Sequence, residues 1–367
     1  MSEEIESHEA SIGNAETGSE LAAGHTLPTA ETPAEAAPPR PAAWRFVLFG
    51  PDGLRPGWGL LLFFLILALL STTAGFAVHK LFPQPTRTAE QRRAALLQPQ
   101  PPSRELSAEG LSFSLVALTT WIMGRIERRP VGSYGFGGGR RIANFFAGLA
   151  WGLLFLSSLV GVLWKSGLLI FDARLLSGAA ALRYAAIWTV GFLLVGFFEE
   201  YLLRGYLQFT LARGFKSLAQ LLFKTSHGET IGFWAAAAVL SFLFGFGHGS
   251  NPGESPIGML SAGLIGLIFC VTLWKTGSLW WAVGFHASWD WAQSYLFGVA
   301  DSGTMVQGHL FATHPVGRVI LSGGATGPEG SAFILPLLAV LTVVVLTTLP
   351  RRTGKQAAVV YMTAEQA

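Results

Sequence analysis

An all-α, polytopic transmembrane helix bundle of about eight spans is the fold class that the sequence predicts, and three observations predict it. First, of 367 residues 51% are hydrophobic and 13% charged, against about 25% charged in a soluble chain, and mean hydropathy is +0.45. So few polar side chains cannot clothe a water-facing surface of this size. Second, residues 56–79, 142–164, 230–253, 255–274 and 330–350 are each free of Asp, Glu, Lys and Arg. At ~1.5 Å rise per residue each is long enough to cross about 30 Å of hydrocarbon. Third, charge is segregated: residues 1–40 hold eight Glu and one Arg, a net −7, and the remainder carries +10.

Taken in order, residues 1–42 read as a disordered, acidic cytoplasmic tail, because Glu, Ala, Pro, Ser and Thr cannot nucleate a core. The tail also lacks the basic start and apolar middle of a secretory signal. Residues 43–350 read as the transmembrane domain and 351–367 as a short cytoplasmic tail. After the span at 56–79 comes a Pro- and Arg-bearing loop (81–105), then a span at about 107–124 ending at Arg125. A basic, Gly-rich loop (Arg125 to Arg141) leads to the span at 142–164. A span at about 184–210 is interrupted by Glu199, Glu200 and Arg204, and follows the same logic as one at about 277–297 interrupted by Asp290. The apolar runs at 230–253 and 255–274 lie between them. A Gly-rich loop (298–329) precedes the last span.

Eight spans place both termini on one side, where 15 Lys and Arg fall against nine on the other. The bias favours cytoplasmic termini in a multi-pass cell-membrane protein. Basic residues scattered between apolar runs mark topology, so no nucleic-acid partner is expected. Cys270 is the only cysteine, which excludes an intrachain disulfide and a Cys-rich metal site. Nothing in the pattern specifies an oligomeric state.

The polar residues inside apolar spans carry the functional signal, since each costs about 2.5–3.5 kcal/mol near the bilayer centre unless it faces protein or a wet cavity. Glu200 and Arg204 stand four apart, on one helix face and in the favourable order for an ion pair. Glu199 is turned about 100° away, which leaves a carboxylate without a local partner and available as a base. His248 closes the segment Phe244-Gly245-Phe246-Gly247-His248. His286 and Asp290, again four apart, share a face, so Asp290 can fix the imidazole tautomer and leave the other nitrogen for water, substrate or metal. Each motif alone also fits a static polar tie between helices. The rise per residue puts His248 roughly 26 Å and His286 about 13 Å from a common entry face, so one of those helix starts is misplaced or a helix is tilted or broken.

In their order on separate spans, Glu-Glu-x-x-x-Arg (199–204), Phe-x-x-x-His (244–248) and His-x-x-x-Asp (286–290) resemble the CAAX protease and bacteriocin-processing (CPBP) family, also called the Abi or CAAX prenyl protease type 2 family. The resemblance covers about residues 180–300. It implies an intramembrane endopeptidase acting on membrane-associated or lipid-modified, CaaX-like polypeptides in the bilayer. Glu199 would activate water, His248 would hold that water or the scissile carbonyl, and His286 with Asp290 would complete the wall. The family's last motif position is commonly Asn. An ionised Asp cannot donate to an oxyanion, so Asp290 is expected to orient His286, with His286 as the donor.

The family is often labelled metalloprotease, and Glu199, His248 and His286 could supply three ligands to a catalytic zinc. A metal-free site with Glu199 as base fits the same residues, and the absence of a His-Glu-x-x-His stretch leaves both open. Two other readings use these residues differently. One is a catalytically silent binding or bacteriocin-immunity membrane protein; the other is an ion-coupled transporter built on a carboxylate and imidazole relay.

Overall fold

The chain divides into Met1–Ala42 and Ala43–Ala367. The computed structural model describes residues 47–50, 53–83, 88–96 and 98–350. The tails expected at 1–42 and 351–367 lie outside the described residues.

A two-residue hairpin, β1 (Phe49–Gly50) with β2 (Gly53–Leu54), leads into α1 (Pro56–Leu81). Proline in the first turn starts α1, and of its residues only Gly59 and Phe63 are buried. Leu65, Leu69 and Phe76 point outward, as expected of a helix whose apolar flank meets lipid. A short helix α2 (Ala89–Leu96) precedes α3 (Pro102–Glu127) and then α4 (Arg141–Lys165). Next come strand β3 (Leu169–Arg174), α5 (Gly178–Glu200), a π-helical turn (Tyr201–Leu207) and α6 (Gln208–Phe223). The chain kinks inside the π turn at Gly205 (φ −86°, ψ −109°). It continues through α7 (Gly228–His248), α8 (Pro256–Thr276), α9 (Trp280–Asp290) with a second π turn (Trp291–Leu296), strand β4 (Phe311–Pro315), α10 (Val319–Ser322) and α11 (Ile334–Thr348).

The all-α bundle is therefore present, but among the described residues six helical units are long and apolar enough to span: α1, α3, α4, α5 continued into α6, α7 and α8. The other two expected spans are shorter. The helix expected at 277–297 runs from Trp280 to Leu296, and that at 330–350 is the 15-residue α11. In the antiparallel ribbon of β3 and β4, with its register shift between Phe171 and Ala173, β4 lies within the stretch 298–329 read as loop, and β3 lies between the expected spans at 142–164 and 184–210.

One packed core joins α4, α8, α9 and α11, and a second joins α3, α6, α7 and the first π turn. The α4–α9 seam is closed by glycine. A Cβ at Gly148 would strike the Trp281 carbonyl, and one at Gly152 would strike the Phe285 carbonyl and Ser288 Oγ. This small-x-x-x-small pair lets the two backbones touch. At one end of the bundle the 125–141 connection packs on the start of α9, Leu279 N donating to Gly135 O at 2.8 Å. The same end holds a buried carboxylate, Glu127, that accepts from Tyr134 (3.1 Å) and Tyr206 (3.0 Å). Tyr206 lies in the first π turn, so this contact ties the kink to α3.

The helix starts resolve the depth mismatch. Phe233 and Trp234 of α7 pack on Trp274, near the end of α8, so the first turn of α7 extends past its neighbours. Higher on α7 the Phe244 ring lies 6.4 Å from the His286 ring and 4.6 Å from that of His248. His248 therefore stands one turn beyond Phe244, whose ring neighbours both imidazoles.

Candidate active site

Glu199 and Glu200 end α5 just where the backbone loosens into the π turn carrying Arg204. Arg204 Nη1 donates to Glu200 Oε1 at 2.9 Å, and both side chains are fully buried. The guanidinium also lies 4.4 Å from the Phe244 ring centroid and 5.7 Å from that of Phe269, so aromatic faces supply the remaining stabilisation of the cation. It can reach that position because Gly266 of α8 has no side chain; a Cβ there would meet Arg204 Nη2.

The same Glu200 oxygen takes a second hydrogen bond. His286, presented by α9, donates from Nδ1 to Glu200 Oε1 at 2.9 Å. The other ring nitrogen, Nε2, lies 3.6 Å from Glu199 Oε2 and 3.5 Å from Asp290 Oδ2. The shorter contact that orients the ring thus comes from Glu200 across the helix interface, where the i,i+4 spacing had pointed to Asp290. The reason is rotational: the face of α5 that holds the Glu200–Arg204 pair is the face that meets α9. Asp290 instead flanks the reactive nitrogen.

His248 ends α7 with Nδ1 at 2.7 Å from the Phe244 carbonyl. A carbonyl only accepts, so Nδ1 carries the hydrogen and Nε2 is left to the cavity. Glu199 Oε2 is enclosed and has no hydrogen-bond partner among the described residues.

Glu199, His248, His286 and Asp290 all line one cavity of about 280 Å³, whereas Glu200 and Arg204 stand behind its wall. Four further carboxylates line it that the motifs did not reveal: Glu105 and Glu109 on α3, Asp301 and Glu329 on the connection between α9 and α11. Glu109 could have been noticed as a charge inside the apolar run 107–124. Asp301 and Glu329 gave no such signal, since they flank a Gly-rich stretch. Asp301 accepts from Ser294 Oγ (3.0 Å) and Glu329 from Ser302 Oγ (2.8 Å) and the Ser302 N–H. Burial, reinforced by Asp290 and Glu329, holds the Asp301 carboxyl well above the usual carboxylate range. Burial also raises that of Glu329, against the lowering effect of the Ser302 hydrogen bonds. Among the described residues no Lys or Arg lines the cavity.

The zinc reading requires Glu199, His248 and His286 to converge. Among the described residues no three His, Cys, Asp or Glu side chains do so at ligand distance. His286 already holds Glu200 on one nitrogen and faces two carboxylates with the other, and His248 Nδ1 is taken by the Phe244 carbonyl. As arranged, the side chains of Glu199, His248 and His286 do not form a three-ligand metal site.

Residues 181–292 match the family model described as type II CAAX prenyl endopeptidase, Rce1-like. All three motifs fall inside that segment, and the match supports a CAAX-type intramembrane endopeptidase. No curated protein and no solved structure matches the chain.

Proposed function

We propose, with the type II CAAX prenyl endopeptidase match over residues 181–292 as premise, that this chain is an intramembrane endopeptidase. It hydrolyses peptide bonds of membrane-associated or lipid-modified polypeptides. The observation that carries the reading is Glu199: its Oε2 is enclosed, makes no hydrogen bond among the described residues, and faces His286 across 3.6 Å in a polar cavity.

Glu199 takes a proton from a water molecule, whose oxygen attacks the scissile carbonyl carbon. His248, with Nδ1 committed to Phe244 O, holds that water by accepting its second hydrogen at Nε2. His286 acts as the imidazolium, its charge balanced by the carboxylates around it: Nδ1–H donates to Glu200, and Nε2–H is offered to the oxyanion that develops on the former carbonyl oxygen. Asp290 lies close enough to steady that hydrogen before the substrate arrives. When the tetrahedral intermediate collapses, the C–N bond breaks and Glu199 returns its proton to the leaving amine. Arg204 neutralises Glu200, so that Glu200 can hold His286 without placing an unpaired charge in the core.

The test of these roles is a comparison of variants. Glu199→Gln should abolish cleavage and keep substrate binding, which also separates an enzyme from a silent binding protein. Asp290→Asn should cost less than Glu200→Gln, because Glu200 holds Nδ1. The reverse order would return the orienting role to Asp290.

A further inference from the structure

A buried polar cluster that the proposed chemistry does not use centres on Glu127, the last residue of α3, whose side chain is 2% exposed. Tyr206 donates to its Oε1 at 3.0 Å, Tyr134 donates to its Oε2 at 3.1 Å, and Arg213 Nη1 lies 3.5 Å from Oε2. The Tyr206 ring stacks on Phe63 of α1, with centroids 4.6 Å apart, and meets Tyr134 at 5.2 Å. Gly59 of α1 closes over the hydroxyl: a Cβ there would come to 3.2 Å from Tyr206 Oη and 3.3 Å from Glu127 Oε1. Gly59 and Phe63 are the buried residues of α1, so this otherwise outward-facing helix is seated on Tyr206. None of these residues lines the cavity, and of them only Tyr206 and Arg213 fall within residues 181–292. A buried ion pair is weak evidence of stability; what its hydrogen bonds supply is a fixed place for each donor.

The reach of the cluster comes from the element that Tyr206 belongs to. Tyr206 lies in the π turn Tyr201–Leu207, one residue past the kink at Gly205 and two past Arg204. A Cβ at Gly205 would meet the Tyr201 ring at 2.8 Å and the Tyr134 carbonyl at 3.1 Å, so the tyrosine that bonds Glu127 also backs the kink. A π turn holds one residue more than an α-helical turn over the same path. Relaxing it to α-helix would rotate α5 against α6 by about 100°, the winding of one residue. Glu199 and Glu200 differ by that same angle. Glu199 faces the cavity, its Oε2 without a hydrogen-bond partner among the described residues, whereas Glu200 is buried against Arg204 and His286. The register of the turn decides which of the two carboxylates faces the cavity.

We infer that Glu127 and Tyr206 are positioning residues: from outside the cavity they pin the π turn, and so set the rotation of α5 that turns Glu199 into the cavity and Glu200 onto His286. That this rotation serves peptide hydrolysis rests on the endopeptidase reading; the rotation itself does not. Two measurements on the full-length protein in detergent test it. In a Cys270→Ala chain, which has no other thiol, Glu199→Cys places a thiol on the cavity wall. Asn251→Cys, partly exposed in the same lining, is the reference, and each reacts with a water-soluble methanethiosulfonate. Adding Tyr206→Phe, which keeps the Phe63 stack and removes the hydroxyl, should slow reaction several-fold at position 199 and leave it unchanged at 251. Adding Gly59→Val, which pushes on that hydroxyl and keeps every hydrogen-bonding group, should do the same. With Glu199 intact, either variant should lower kcat on a farnesylated peptide ending in a CaaX sequence by up to about 10²-fold at unchanged KM. Reaction at 199 unaffected by both variants overturns the inference, and so does equal slowing at 199 and 251, the mark of a general loosening. The expected labelling, with no cleavage of the farnesylated peptide by the unaltered protein, would count against the endopeptidase reading alone.

Discussion

Enlarging one glycine should move the His286 imidazole, proposed as the oxyanion donor. In Gly152→Ala the added methyl meets the Phe285 carbonyl and Ser288 Oγ, and in Gly148→Ala the Trp281 carbonyl, with Phe285 N at 2.9 Å. Ordinary contact for a Cβ begins near 3.4 Å, so α9 must shift from α4 by about 1 Å. Neither obstacle at the carbonyls is the tip of a flexible side chain that could swing aside. Overpacking of this kind costs about 1–3 kcal/mol, and a 1 Å displacement of a catalytic group costs about 10²-fold in rate. His286 follows Phe285 directly, so both penalties apply. Gly161 lies on the same helix with nothing within 4 Å of its added Cβ. Gly161→Ala should therefore leave cleavage unchanged and stabilise by up to about 1 kcal/mol through helix propensity. The assay is thermal unfolding in detergent together with kcat on a polypeptide identified by its accumulation in cells carrying Glu199→Ala. Wild-type stability and rate in Gly152→Ala would refute the claim that backbone contact along this seam places His286.

Three further outcomes follow from the same geometry. Arg204→Met leaves Glu200 as an unneutralised buried charge and should cost about 3–5 kcal/mol; adding Glu200→Gln should recover most of that stability, read by thermal unfolding, without restoring cleavage. Asp301 and Glu329 have folded-state values raised above 3.8 and 4.5. Their contribution is full below those values and is lost as pH rises through the folded ones, so limited proteolysis of the 298–329 connection should quicken as pH rises above the ordinary carboxylate range. Asp301→Asn should flatten that dependence. Exhaustive chelation should leave cleavage intact, and a loss restored only by zinc would replace the metal-free chemistry proposed for Glu199.

Much of the bundle was legible because charge bounds each apolar run. The run 142–164 became α4, bracketed by Arg141 and Lys165, and 255–274 became α8, started by Ser255 accepting from Gly258 N (3.1 Å) and stopped by Gly277 at φ +72°. The run 230–253 became a helix only to His248, because Gly249 to Gly253 carry no charge yet form turns. The i,i+4 spacings showed which side chains share a helix face. They could not show which face meets which neighbour, and that rotation makes Glu200 the partner of His286. The π turn at Tyr201–Leu207 was equally hidden, since its cause is the tertiary anchoring of Tyr206 on Glu127 as well as local sequence. Asp301 and Glu329 reach the cavity through a folded connection, which periodicity does not describe.

The central claim is that Glu199 activates the hydrolytic water, and purified Glu199→Gln tests it most directly. Its amide keeps the shape of the carboxylate but cannot take a proton from water. The account predicts that kcat falls by about 10²–10⁴-fold with substrate affinity and thermal stability near those of the unaltered protein. Cleavage at an unaltered rate would contradict it.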